Sequence, residues 1–479
     1  MGGLRERVRR EVAQAAKRQA VAKAARGHYL ARMRQWARLA QAGRLQNLRD
    51  RARDAKDEVL GRHSQYLAQF TQAVEARGGR VHFAATEAEA VGRVLAIVRE
   101  HGAKLAVKSK SMVSEEIGLT PALEAAGVEA VETDLGEYII QLAGHPPAHI
   151  VGPAIHMTRR DVADLFARKL GRPMPEDPEM LTAVAREVLR EKFLSAQVGI
   201  TGANFAVAET GTVVLLTNEG NGRMVTSLPP VLITVMGLEK LVPTWEALEP
   251  LLTLLPRSST GQNVTVYVSA ITGPRQTGEL DGPQEWHVVV LDAGRSRLLG
   301  TRYQDALRCI RCGACLNACP VFRVIGGHGY GTTYSGPIGI TITGLLKGMA
   351  PHSDLLDACS LCGACTEVCP VQIPLHHFIR DQKTDRARAG LVQAVERLLF
   401  RLWGWAWSHP VRYRLSLRLA RWLAVPFVRD GYLTWGPGPL AEWMRGRDFP
   451  APAARTFRDR WPDLAREEGM ADGRTGPRA

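Results

Sequence analysis

Outside two twelve-residue runs the 479-residue chain contains no cysteine, so no disulfide or thiolate metal site can be built anywhere else. It also lacks a comfortable membrane span. The two longest uncharged segments, 138–158 and 324–346, are interrupted by three prolines and three histidines in one case and by repeated glycines in the other. The first twenty residues have no apolar core and no small-residue cleavage site. The expectation is therefore no secretory signal and a reducing cytoplasm, where thiols meet metals more often than each other. A dinucleotide fingerprint is missing too. The stretch Gly436-Pro-Gly-Pro-Leu-Ala441 fits G-x-G-x-x-A only formally, carries two prolines, and has too little chain behind it for a βαβ unit. No flavin or nicotinamide site is legible.

The charge that is present is unevenly placed. The formal net charge is +14, yet residues 1–49 alone hold thirteen Lys/Arg against Glu6 and Glu11. The rest is close to neutral, which argues against a basic groove built into the core and hence against a nucleic-acid enzyme. Residues 1–60 read as a basic helical arm or hairpin, rich in Ala, Arg, Gln and Leu, with breaks at Gly27 and Gly43. A solvated helix is the expectation, and no nucleic-acid partner.

From 61 to 300 short apolar runs alternate with helical segments. Strands are expected at 104–109, 129–133, 149–155, 198–201, 212–217, 231–236 and 286–292, which defines an α/β domain with a largely parallel sheet. Thr158-Arg-Arg-Asp161 has the form of a capping box and should open a helix.

The cysteines fill the region 301–385. The runs CIRCGACLNACP at 309–320 and CSLCGACTEVCP at 359–370 both follow C-x₂-C-x₂-C-x₃-C-P, the spacing of bacterial two-cluster ferredoxins. Three thiolates so close wrap three corners of a cubane, while the fourth, ahead of a proline that turns the chain away, reaches a second cluster. This gives Cys309, Cys312, Cys315 and Cys369 as ligands of one [4Fe–4S] cluster, and Cys359, Cys362, Cys365 and Cys319 as ligands of another. Zinc is disfavoured, since structural zinc wants two cysteine pairs a dozen or more residues apart. The residues between the runs, which include the glycine-rich 326–346, should form a covering loop and one helix. His328, His352, His376 and His377 are expected as solvated or capping residues, not iron ligands.

Two polar constellations in the α/β region are candidates for binding an anion. Lys108, Ser109, Lys110 and Ser111 follow a strand end, with Ser111 or Ser114 placed to cap the next helix. Surface lysines beside an ordinary cap are the alternative. Glu209, Thr210 and Gly211 lead into a strand, and Asn218 to Arg223 follow it; 220–222 is read as a turn. From 386 to 479 the composition changes again, with seven of the ten tryptophans, and seven arginines without one acid between Arg397 and Arg429. Val411, Leu415, Leu419 and Leu423 share one helical face there, which suits packing or a partner more than a membrane surface.

Taken together, VKSKSMVSEEIGL, ETDLGEYIIQLAG, PPAHIVGPAIH, GITGANFAVAETGTVVLLTNEGNGR, ITGPRQTGELDGP, GRSRLLG and the two cysteine runs make residues 60 to 460 similar to the bacterial lactate-utilisation iron–sulfur protein B family. The resemblance implies a LUD-type α/β domain of the ribose-phosphate-isomerase and CoA-transferase group, an α-helical ferredoxin-like domain with two [4Fe–4S] clusters, and a family-specific C-terminal region. It further implies an electron-transfer subunit in the oxidation of L-lactate to pyruvate, working with a cysteine-rich iron–sulfur partner and a small LUD-domain partner, in the cytoplasm or peripherally at the inner membrane face. Thr332 and Ser335 stand where the family pattern has an aromatic residue and a proline, and the arginine-rich start is a second departure. Two other readings share the cysteines: an electron carrier for another 2-hydroxy-acid or glycerol-phosphate dehydrogenase, and an acyl- or sugar-phosphate-binding enzyme with structural clusters and Glu209 as its acid.

Overall fold

The computed structural model describes residues 3–436, 441 and 444–467. Of the stretch 436–441 only the two ends fall among them. The chain divides into two compact units, Met1–Leu391 and Val392–Ala479.

The first unit opens with four helices, α1 (Leu4–Ala13), α2 (Ala15–Gln41), α3 (Leu45–Gly61) and α4 (His63–Ala76). Gly43, at φ +67°, ends α2 as expected, but α2 runs straight through Gly27, since one glycine costs about 1 kcal/mol and a 27-residue alanine-rich helix absorbs that. These helices are not simply solvated. Ala25, Trp36 and Leu39 of α2 are buried, and so is Arg32, whose guanidinium lies 3.5 Å from the Trp36 ring.

The α/β part follows as β1 (Arg80–Ala84), α5 (Glu87–Glu100), β2 (Leu105–Lys108), α6 (Met112–Glu116), α7 (Leu119–Ala125), β3 (Glu129–Glu132), α8 (Leu135–Ala143), α9 (Arg159–Leu170), α10 (Pro178–Ser195), β4 (Val198–Thr201), β5 (Phe205–Val207), β6 (Thr212–Thr217), α11 (Asn221–Ser227), β7 (Val231–Gly237), β8 (Leu241–Val242), α12 (Trp245–Ser259), β9 (Tyr267–Ile271) and β10 (Glu285–Leu291). Six strands form an all-parallel sheet in the order β1-β10-β7-β4-β2-β3. Its central strands β2, β4 and β7 are buried along their whole length, which is why they read as unbroken apolar runs. A second sheet, β8-β5-β6-β9, is mixed.

The strand expected at 149–155 does not form. His149 Nδ1 instead accepts the backbone N–H groups of Val151 (3.0 Å) and Gly152 (3.2 Å), folding the segment into turns. The capping box at Thr158 is present, with both reciprocal bonds. The cysteine region comprises α13 (Ala314–Ala318), α14 (Phe322–Ile325), α15 (Gly336–Lys347), α16 (Met349–His352), α17 (Ala364–Glu367) and α18 (Leu375–Arg388).

In the second unit α19 (Ala394–Trp407) and α20 (Pro410–Ala424) are locked by Trp407 edge-on to Tyr413, with ring centroids 5.2 Å apart. A small three-stranded sheet and a helix at Phe457–Glu467 follow. Val411, Leu415, Leu419 and Leu423 do share a face of α20, and all four are exposed. No helix among the described residues is long and apolar enough to cross a membrane.

Candidate iron–sulfur and anion-binding site

The two cysteine runs adopt the same backbone. Arg311 and Leu361, at matching positions, are left-handed at φ +59° and +57°, and Gly313 and Gly363 follow at +73° and +83°. This winding turns successive thiols inward. At Gly313 a side chain would also meet the His149 ring at 3.0 Å, so glycine lets the first run close against the α/β part.

The thiols converge in two groups that cross between the runs. Cys309, Cys312, Cys315 and Cys369 line one small cavity, closed by Ile150, Ile338, Val371 and Ile373. Cys319 lies within electrostatic reach of Cys359 and Cys362, and Cys365 of Cys359, Cys319 and Cys362. Burial, with neighbouring thiols adding to it, pushes Cys312 and Cys365 up to about 12 and Cys369 to about 11. Free, these thiols stay neutral; a cationic core is what would hold them as thiolates. Backbone N–H groups already point at sulfur: Phe322 to Cys319 (3.5 Å), Leu361 to Cys359 (3.4 Å) and Ile373 to Cys369 (3.3 Å). An apolar cavity ringed by four sulfurs, with N–H donors aimed at ligand sulfur, fits iron–sulfur ligation well. The histidines expected to stay off the iron have other contacts: His328 pairs with Pro146 O at 2.8 Å, and His376 with Thr366 Oγ1 at 2.7 Å.

Beside this cavity lies a cleft of about 490 Å³ at the carboxyl ends of β2, β3 and β4. Open α/β sheets bind ligands at such strand ends. Ser109, Lys110 and Ser111 line it, joined by Lys240 and Arg311 as further cations and by Asp134 and Glu219 as acids. Ser111 caps α6 by accepting the Ser114 N–H at 3.3 Å. Lys110 is lowered by burial and donates to Val151 O. Lys240 is brought to about 8 by burial, with Glu239 opposing. Burial, then the charge of Asp134, raises Glu219 to about 7. The cleft can therefore seat a small carboxylate on cations next to a carboxyl able to hold a proton. Ile150 and Arg311 line both the cleft and the four-thiol cavity.

The other sequence candidates sit elsewhere. Lys108 is fully buried on Glu132, Glu115 and Thr120; burial would lower it, but the two carboxylates outweigh that and keep it an ammonium. It is part of the core between β2 and β3. Glu209 accepts the Trp245 N–H at 2.7 Å at the start of α12, and Thr210 accepts the Trp245 indole N–H at 3.2 Å. Gly211, at φ +67°, is a packing glycine, where a Cβ would lie 2.6 Å from Val74 N. Gly211→Ala should cost more than about 1 kcal/mol in denaturant unfolding while leaving carboxylate affinity at the cleft unchanged. The turn expected at 220–222 is instead the start of α11, with Asn221 facing the cleft. His28, Asp134, Lys240 and Arg311 escaped the sequence reading; Asp134 and Lys240 carried a usable signal, a charge shortly after a buried strand.

His149 ties the α/β part to the first cysteine run. Its Nδ1 accepts two N–H groups, so Nε2 carries the proton and donates to Asn317 Oδ1 at 3.1 Å. Burial first, then His28 and Lys110, lowers it from 6.5 to about 3. The unfolded chain takes this proton at higher pH than the folded one. Stability is therefore fully present above 6.5 and is lost as pH falls from there towards 3. His149→Gln should flatten the fall in unfolding free energy measured between about pH 6.5 and about pH 5.

Fold and site together define a class: an α/β protein whose cationic cleft abuts a domain built around two ferredoxin-type cysteine runs. The comparisons with known proteins agree. Residues 67–291 match the LUD domain family, 305–373 the 4Fe-4S dicluster domain, and 381–465 the lactate utilisation protein B C-terminal family. Similar proteins include the lactate utilization protein B of Bacillus velezensis, 47% identical over 90% of both chains, and that of Oceanobacillus iheyensis, 48% identical over 90% of this chain and 91% of the other. That of Lysinibacillus sphaericus is 44% identical over 95% of both. A crystal structure of a DUF162 family protein from Deinococcus radiodurans aligns with 48% of this chain and 97% of its own, at 15% identity and a TM-score of 0.28. The chain belongs to the lactate utilization protein B family.

Proposed function

We propose that this chain is the iron–sulfur electron-transfer subunit of a system that oxidises L-lactate to pyruvate. The observation that carries the reading is the shared wall: the cavity ringed by Cys309, Cys312, Cys315 and Cys369 and the cationic cleft have Ile150 and Arg311 in common. In this reading the cysteine region is a ferredoxin-like domain with two [4Fe–4S] clusters, the second held by Cys319, Cys359, Cys362 and Cys365. The α/β part takes the ribose-phosphate-isomerase and CoA-transferase fold. When bound, the clusters supply one-electron transfer. Lys110, Lys240 and the serines at 109 and 111 hold the substrate carboxylate, and Glu219 is placed to accept a proton. Oxidising a 2-hydroxy acid to the 2-keto acid releases two electrons and two protons; clusters held by the eight cysteines would supply the path for the electrons, and Glu219 lies in the cleft where a proton is released.

A cysteine-rich iron–sulfur protein and a small LUD-domain protein are the partners, met through surfaces such as the exposed face of α20. The site of action is the cytoplasm or, peripherally, the inner membrane face. The rival enzyme with structural clusters needs Glu209 as its acid, and Glu209 is engaged as a helix cap. The test is lactate-to-pyruvate turnover by the chain and both partners with an artificial electron acceptor. Cys365→Ser in this chain should abolish turnover, whereas undiminished turnover without the chain would refute the assignment.

A further inference from the structure

We propose that Arg311 couples the cleft to the first thiol quartet: a carboxylate bound against Arg311 lowers the potential of the cluster held there, and reduction of that cluster loosens the carboxylate. The proposal rests on the electron-transfer reading above and adds a regulation of the same site. It starts from location, since Arg311 stands inside the first cysteine run and lines both cavities.

The guanidinium is held but not used up. Its side chain is only 10% exposed, Nη2 donates to Glu239 Oε1 at 3.3 Å, and the group lies 4.4 Å from the Tyr334 ring centroid. Its Nε and Nη1 are buried with no acceptor among the described residues. Buried donors without partners are costly, and a charged group more so, so these N–H groups call for an anionic acceptor on one of the two sides that Arg311 lines. The local charge count agrees. Arg295, Arg311, Lys240 and the buried Lys56 face Glu116 and Glu239, so cations outnumber carboxylates beside the cleft.

The second cysteine run provides an internal control. Leu361 occupies the position matching Arg311 with nearly the same left-handed φ, and is 38% exposed. The loop therefore tolerates leucine, and its backbone does not demand arginine. What distinguishes the first run is the cleft behind it.

The consequence follows from charge. An anion on Arg311 cancels a positive charge beside the quartet and disfavours an added electron. By linkage, an added electron weakens the anion by the same factor. An oxidised product would thus be loosened while an electron taken from it resides on that cluster.

The test is a potentiometric titration followed by electron paramagnetic resonance on the anaerobically purified full chain. Propionate is the probe, because it has the carboxylate but no hydroxyl to oxidise; chloride at equal ionic strength is the control. One of the two clusters should shift to lower potential with propionate. A tenfold preference for the oxidised protein corresponds to about 59 mV. Arg311→Met should abolish the shift and Leu361→Met should keep it. An equal shift in Arg311→Met, or none in the parent protein at saturating propionate, overturns the proposal. If Arg311→Met fails to hold its clusters, propionate affinity for the oxidised and dithionite-reduced parent protein decides instead, and equal affinities overturn it. Lactate plays no part in this experiment, so the coupling and the lactate reading can fail separately.

Discussion

Replacing Cys369 with serine should empty the cluster of the first cysteine run and spare that of its own. The expected result is a drop from about eight to about four iron atoms per chain, with one of two reduced-cluster signals lost. The reason is geometric: Cys369 lines the cavity with Cys309, Cys312 and Cys315, while Cys319 lies with the thiols of the second run. Cys319→Ser should therefore remove the signal that Cys369→Ser leaves. If Cys369→Ser and Cys362→Ser abolish the same signal, the crossed ligation is wrong. Retained folding is checked by the unfolding midpoint of the α/β part, whose sheet core holds no cysteine.

Arg295→Met should cost about 3–5 kcal/mol in anaerobic denaturant unfolding, the range for breaking a buried ion pair from one side. Arg295 is completely buried and reaches Glu239 Oε2 and Glu116 Oε2, both at 2.7 Å. Tyr334 donates to the same Glu116 oxygen at 2.6 Å. Removing the guanidinium leaves two desolvated carboxylates, one of which also anchors Arg311. Burial alone would raise Glu239, but Arg295, Arg311 and Lys240 outweigh it and hold it at about 2. Its stabilising share is thus present above 4.5 and is lost as pH falls towards 2, and Arg295→Met should bring that loss to higher pH. A change below about 1 kcal/mol would show that the network relaxes, as exposed pairs do.

Much of this was legible in the sequence because the chemistry demanded a fixed spacing. The spacing of the cysteine runs marks a 4Fe-4S dicluster domain, and β2, β4 and β7 announce themselves as buried parallel strands through unbroken apolar runs. The strand expected at 149–155 failed because apolar residues between prolines carry no period, and His149 offered the backbone an alternative to a ladder. Lys108 and Lys110 looked equivalent two residues apart, yet Lys108 is the last residue of a strand buried along its whole length and the chain beyond the strand end brings Lys110 to the cleft. Glu209 and Gly211 drew notice as part of a polar segment before a strand, and they serve capping and packing respectively. Lys240 and Arg311 reach the cleft from segments distant in sequence, and only the sheet order and the closure of the cysteine run bring them there.

The most direct measurement is low-temperature electron paramagnetic resonance on the anaerobic chain mixed with both partners and L-lactate, with dithionite reduction defining the full signal. The account predicts lactate-driven signals from both clusters, reaching the dithionite amplitude, and their loss with Lys110→Met if the cleft holds the substrate. Dithionite-reducible clusters that L-lactate leaves oxidised, with partners present and active, would contradict it.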